Sequence, residues 1–488
     1  MTPPSQSNTP PLSPPETDVD FHALRQNRMR EVEAQAAKPL REIPLDIEAE
    51  VAAEVIEVKP PEPEYENDPF VAETPAMLRR IAQIEAGKLA LENSEKLSSD
   101  ESKQFERLIK SKRLAPCHWG LLVATLLLTA LSIPLVYSAS TAIALDQHGG
   151  DTNFFLWRQI GYSIVGLGVM LWASRVAPEK LRGLAWGLYV FAIVGLLATK
   201  FSPLGYSMGN VERWVKLGPL TFQFSELAKI ALIGIMADFW SRAARLSQKS
   251  MTPWLVTAVL AGIPIVLTFI QPHLSATLVL LLLPILVAFF AGAPTKHFVS
   301  IFVPMALLAV IGIGLCKTHK LPFIAEYQQD RIAAKFGGDE ASDDRGNNYQ
   351  SMQGQRAIMR GGLTGVGLGA SLYKQGHLPA PHTDFIFAVI AEETGAWGAL
   401  LLLALYGAIV FFCFQIGHSA NNGFDSLLCV GIGTLWAMQV LGNIGVVSGL
   451  MPVTGMPLPI LTFGGSGLWC ALFGLGLVLA VSRAQGES

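Results

Sequence analysis

An aspartate-rich stretch, Asp339-Glu340-Ala341-Ser342-Asp343-Asp344-Arg345-Gly346-Asn347-Asn348-Tyr349-Gln350, occupies the only long polar interval within the hydrophobic part of this 488-residue chain. Its carboxylates, with Asp330 and Arg331 upstream, point to chemistry at a membrane surface, although composition alone also fits a plain solvated loop. The glycines of Gly361-Gly-Leu-Thr-Gly-Val-Gly-Leu-Gly follow. They lack the preceding strand and the lysine of a phosphate-cradling loop, so close backbone approach is the better account of them.

Three further groups carry polar chemistry into apolar surroundings. In Gln223-Phe-Ser225-Glu226-Leu-Ala-Lys229, Glu226 and Lys229 are three residues apart, share a helix face and can pair, either as a structural ion pair or as part of a polar cavity. Arg213-Trp214 and Lys216 precede that segment and read as interfacial anchors or as holders of a phosphate, whose oxygens a guanidinium matches in bidentate fashion. His382, Asp384 and Glu393 straddle the start of a later apolar run. A satisfied helix-start cluster, with Asp384 favoured by the helix dipole, competes there with proton relay or metal binding.

The elements that must position these groups are membrane helices. The chain is 51% hydrophobic and only 15% charged, and from Trp119 onward it presents apolar runs near the roughly 20 residues that span a hydrocarbon core. We count ten spans, at 118–138, 157–175, 181–200, 221–240, 253–270, 273–292, 297–316, 384–413, 425–447 and 463–483, and expect an all-α polytopic fold. Lys110, Lys112, Arg113, Arg175, Lys180, Arg182, Arg242, Arg245, Lys249 and Arg483 then fall on one side, which the positive-inside rule makes cytoplasmic along with both termini. The loops 139–156, 201–220, 317–383 and 448–462 face outward, and the Pro/Gly mixture of Met451 to Ser466 requires protein or a watery cavity around it.

Residues 1–113 form a separate cytoplasmic tail. It is rich in proline and acid up to about residue 75, reads as disordered, and carries helix-like apolar spacing over 76–113. The first apolar run starts too late for a secretory signal peptide. A net charge of −3 with no basic stripe argues against nucleic acid. Five scattered cysteines, Cys117, Cys316, Cys413, Cys429 and Cys470, read as core filling.

Taken in order, these blocks resemble the SEDS family of bacterial peptidoglycan polymerases, which includes FtsW and RodA. The resemblance covers about residues 118–484 and rests on Gln223 to Lys229, Tyr349-Gln350 with the glycine run, His382-Thr-Asp-Phe-Ile-Phe-Ala-Val-Ile-Ala-Glu-Glu393, and Pro457-Leu-Pro with Gly464-Gly465-Ser466. It implies an inner-membrane glycosyltransferase that joins lipid II units onto an undecaprenyl-pyrophosphate-linked glycan. An outer-loop carboxylate is then the general base, matched by Asp343 with Asp344 as alternative. Cationic groups (Arg213, Lys216 or Arg345) or a divalent cation such as Mg or Mn would stabilise the leaving pyrophosphate. The implied partners are a class B penicillin-binding protein and other division or elongation proteins.

The chain departs from the family pattern at Phe224, where a helix-kinking proline is usual, at His273, where an aspartate is usual, and at Phe463, where a tyrosine is usual. Phe154-Phe-Leu-Trp-Arg-Gln, Ala370-Ser-Leu-Tyr-Lys and Ala391-Glu-Glu favour the division branch, whereas Pro452-Val-Thr-Gly-Met-Pro leans toward elongation. A lipid II flippase would need internal repeats and broken helices. A pure scaffold would leave the acidic loop unexplained.

Overall fold

The computed structural model describes residues 118–147, 149–208, 211–218, 220–301, 307, 347–376, 378 and 381–485. The tail at 1–113, its expected helix, Cys117 and Cys316 lie outside these, as do most of the seventh span and the whole acidic run from Asp330 to Arg345.

Nine of the ten expected spans are helices within a residue or a few of their expected starts. They are α1 (Trp119–Gln147), α2 (Phe154–Ala173), α3 (Pro178–Phe201), α4 (Phe224–Ser247), α5 (Thr252–Ile270), α6 (Leu274–Phe290), α8 (Ile386–His418), α9 (Gly423–Val447) and α10 (Gly465–Gln485). Residues 295–301 begin the seventh as a helix. Among the described residues, seven helices are long and apolar enough to cross a membrane by themselves. The two others fall short for separate reasons: α6 has only 17 residues, and α4 carries Glu226, Lys229, Asp238, Arg242 and Arg245.

Helix α4 tolerates Glu226, Lys229 and Asp238 because protein surrounds that part of it instead of lipid, while Arg242 and Arg245 are exposed in its last turns. It packs against α3, α5, α6, α9 and α10, and almost every residue from Phe224 to Asp238 is buried. Helices α9 and α10 are likewise 78% buried over their most apolar windows, against 28–39% for α1, α2, α3, α5 and α8, whose outer faces present leucine, valine and phenylalanine. The core is thus α4, α9 and α10, ringed by helices with one face free for lipid.

Helix ends follow local chemistry. Helix α3 begins with Pro178 at its first helical position, and Asn422 caps α9 by accepting from the Asp425 amide at 2.9 Å while its own amide donates to the Asp425 carboxylate at 2.6 Å. At one end of the bundle the start of α1 meets the end of α10, the His118 amide donating to Ser482 Oγ at 3.1 Å. At that end too, Arg182 and Arg242 both reach Asp238.

The opposite end holds two features that helical periodicity does not announce. Residues 205–222 form a three-stranded antiparallel sheet, β1 (Gly205–Met208), β2 (Val211–Leu217) and β3 (Leu220–Phe222), in the order β1-β2-β3. An amphipathic helix, α7 (Asn347–Gly361), lies across the start of α8 and the end of α9, held by Gln355 Nε2 donating to the Ser448 carbonyl at 2.8 Å.

Candidate functional site

The sheet aims an arginine. Tyr206 pairs with Trp214 and Ser207 with Glu212, so Arg213 is the extra residue of a β-bulge. A bulge turns its side chain out of the alternating pattern. Here it faces inward, its guanidinium donating to the carbonyl of Pro272 in the turn between α5 and α6. Lys216, paired in register with Thr221, is exposed and sits 5.3 Å from the Tyr206 ring, away from the cavity that Arg213 reaches.

That cavity, of about 650 Å³, lies among the first turns of α2, α4 and α10, the residues just before α6 and α8, and the middle of α9. It reaches from Ser466 to Gly474 on α10, some 12 Å into the bundle at 1.5 Å per residue. Of the residues singled out from sequence, Arg213, Gln223, Glu226, His382, Asp384, Gly464, Gly465 and Ser466 line it together. Arg158 joins them, its guanidinium 4.2 Å from the Phe154 ring, as do His273, Gln439 and the rings of Tyr162, Trp214, Trp436 and Phe463.

Each wall is fixed by contacts behind it. Glu226 accepts from Lys229 Nζ at 2.8 Å, both side chains nearly fully buried, so the lysine backs a carboxylate that faces the cavity. Ser225 Oγ lies 3.2 Å from Nδ1 of His273. Gln223 is the extended N-cap of α4 and Phe224 its first helical residue. Proline is at home at that position without kinking the helix, so Phe224 removes no kink. Its ring packs on Gly195, where an added Cβ would come within 2.0 Å of it.

The loop from Met451 to Phe463 closes the cavity between α9 and α10. Asn443 Nδ2 donates to the carbonyls of Asp384 (2.9 Å) and Met456 (2.7 Å), Tyr406 donates to Pro459 O at 2.6 Å, and the Phe463 amide donates to His382 O at 3.0 Å. Ile460 is held at φ 68°, a left-handed conformation in which a β-branched residue is strained by about 1–3 kcal/mol. The non-helical backbone expected to need protein around it is therefore packed between helices. Burial beside the Phe155 and Phe463 rings pushes the His382 imidazole down to about 4, so it is neutral at physiological pH.

The structure separates Glu393 from His382 and Asp384. Glu393 lies with Glu392 in a second polar cluster off the cavity, where Lys374 Nζ reaches Glu393 Oε1 at 2.7 Å and Arg360 meets Glu392. The glycine run behaves as its composition suggests. Helix α8 is broken at Gly395 (φ 70°, ψ −170°), and a Cβ there would sit 2.3 Å from the Gly365 nitrogen. Tyr349 and Gln350 begin α7 and are half-buried. Asp343 and Asp344, four and three residues before α7, fall outside the described residues. The three described cysteines are free and buried, Cys470 against the cavity wall.

Residues 119–487 match the model of the FtsW/RodA/SpoVE cell cycle protein family. The chain belongs to the FtsW/RodA/SpoVE family. It is 35% identical to stage V sporulation protein E of Bacillus subtilis over 367 residues, covering 74% of this chain and 96% of that one. It is 31% identical to the probable peptidoglycan glycosyltransferase FtsW of Neisseria gonorrhoeae over 407 residues, covering 75% and 84%. A solved chain from a peptidoglycan synthase complex that coordinates polymerization and crosslinking shares the fold with a TM-score of 0.62 and 29% identity, over 76% of this chain and 98% of that one. The protein is accordingly a multi-pass membrane protein of this family.

Two groups of the cavity, Arg158 and His273, do not stand out as site residues in the sequence. Arg158 stood within Phe154-Phe-Leu-Trp-Arg-Gln as a branch signature, yet a lone arginine in the first turn of an apolar span is costly enough to flag a site by itself. His273 stood out only as a departure, because nothing local shows that its ring meets Ser225 from another helix.

Proposed function

We propose that this chain is a peptidoglycan glycosyltransferase of the bacterial inner membrane, polymerising lipid II at its outer surface during cell division, with both termini cytoplasmic. The observation that carries the reading is the cavity itself. Two arginines, a lysine-backed carboxylate and several aromatic rings meet in one space of about 650 Å³, at the bundle end that also bears α7. Arginines suit a pyrophosphate, and aromatic faces suit sugar rings and an isoprenoid.

In the proposed reaction a carboxylate of the preceding loop, Asp343 ahead of Asp344, takes the proton of the acceptor sugar's 4-hydroxyl. The freed oxygen attacks the anomeric carbon of the lipid-linked donor strand. The bond from that carbon to the pyrophosphate oxygen breaks, and undecaprenyl pyrophosphate leaves with the electron pair and an added negative charge. Arg213 and Arg158, both lining the cavity, would hold that charge, and a neutral His382 would hydrogen-bond a sugar without repelling them.

The break in α8 is a feature a flippase would share, but it is filled by the glycine run and lies away from the cavity. By analogy with the synthase complex, a class B penicillin-binding protein is the partner that would crosslink the product. Purified protein with that partner and labelled lipid II should yield a ladder of glycan strands. Transfer of lipid II across vesicle membranes without polymer would instead favour the flippase.

A further inference from the structure

The second polar cluster joins α1, α8 and the connection after α7. Glu393, two turns into α8, accepts from Lys374 Nζ at 2.7 Å and from Ser138 Oγ of α1 at 2.8 and 2.7 Å to its two oxygens. Lys374 Nζ also donates to Ser138 Oγ at 3.1 Å, closing a triangle whose lysine and glutamate side chains are 4% and 1% exposed. Beside it Glu392 receives Arg360 from the last turn of α7, the hydroxyl of Ser371 and the amide of Leu372 at 3.0 Å.

The backbone is tied at the same place. The amides of Val366 and Gly367 donate to the carbonyls of Glu392 and Glu393, both at 3.0 Å, and the Ala396 amide donates to Gly362 O at 2.9 Å. The connection after α7 thus supplies the hydrogen bonds that the break at Gly395 leaves open.

Buried ion pairs are poor stabilisers, since desolvation offsets most of their attraction, and their best-attested use is to select one arrangement over others. Here the arrangement selected is where α7 ends. Helix α7 has 15 residues, a rod of about 22 Å, and its other end begins four residues after Asp343. We propose that Lys374, Glu393 and Ser138, with Arg360 and Glu392, are a latch of positioning residues that fixes α7, the helix that follows the loop carrying the proposed base. The proposal rests on the polymerase reading for its catalytic consequence. None of its members touches the reacting atoms.

The test compares full-length protein, reconstituted with its penicillin-binding partner, with Lys374→Met, Glu393→Gln and the exchange pair Lys374→Glu plus Glu393→Lys. Misplacing a catalytic group by about 1 Å can cost a hundredfold, so each single variant should lose about ten- to hundredfold in kcat with KM for lipid II nearly unchanged. The exchange pair should recover most of the loss. Amide hydrogen exchange across 347–361 should quicken about tenfold or more in the single variants and not in α9. Unaltered exchange in 347–361, or a rate loss matched by the loss of folded protein, would overturn the latch. Should the wild type make no polymer at all, the polymerase reading falls, and the exchange data alone still decide whether α7 is held in this way.

Discussion

Glu226 and Lys229 hold each other at 2.8 Å in the buried part of α4, with only the glutamate lining the cavity. Removing one member strands the other, at about 3–5 kcal/mol for a buried pair. Lys229→Met should therefore lower the yield of folded protein sharply, while Glu226→Gln with Lys229→Met should be milder, as size-exclusion profiles and thermal melts would reveal. Additive losses in the double variant would contradict the pairing. His382 gives a pH signature. Its value of about 4 lies below the ordinary 6.5, so the stability tied to its neutral form is full above about pH 6.5 and drains away as the pH falls toward 4. His382→Gln should flatten that part of the stability–pH curve relative to wild type, and an imidazole signal titrating near 6.5 would refute the burial argument. The pairing of Glu226 with Lys229 was legible in sequence from a spacing of three on a helix. The roles of Arg158 and His273 were not, because their neighbours come from distant segments.

Among the elements, the break at Gly395 and the bulge at Arg213 do what regular structure cannot. The conformation at Gly395 is essentially restricted to glycine, and the Gly365 backbone fills the space a side chain would need. Gly395→Ala should cost at least about 2–3 kcal/mol and either unfold the short segment of α8 before the break or expel the glycine run. Thermal melts and limited proteolysis near residue 365 would register it, and wild-type behaviour would show the contact to be loose. The helices themselves were readable because each needs some 20 apolar residues in a row. The small sheet was not: its strands are short, its pairing is set by the bulge register, and residues 201–220 carry no strong alternation. Helix α7 lay hidden because its apolar residues are few and its partners, Ser448 and Glu392, belong to other helices.

For the molecule as a whole, the ten-span plan follows from hydropathy, and the proposed orientation, with both termini cytoplasmic, rests on where lysine and arginine gather. Lys216 and Lys249 are both exposed and belong to opposite ends of the bundle. In a cysteine-free background, Lys216→Cys should react with a membrane-impermeant maleimide in intact cells and Lys249→Cys only after lysis. The reverse pattern would invert the topology and put the cavity on the wrong side for lipid II polymerisation. The most direct measurement follows labelled lipid II into glycan strands, with wild type, Asp343→Ala and Asp344→Ala reconstituted beside the penicillin-binding partner. Polymer from wild type and Asp344→Ala, with a loss of about a hundredfold or more in Asp343→Ala, is the expected result. Full polymerisation by Asp343→Ala would contradict the assigned base.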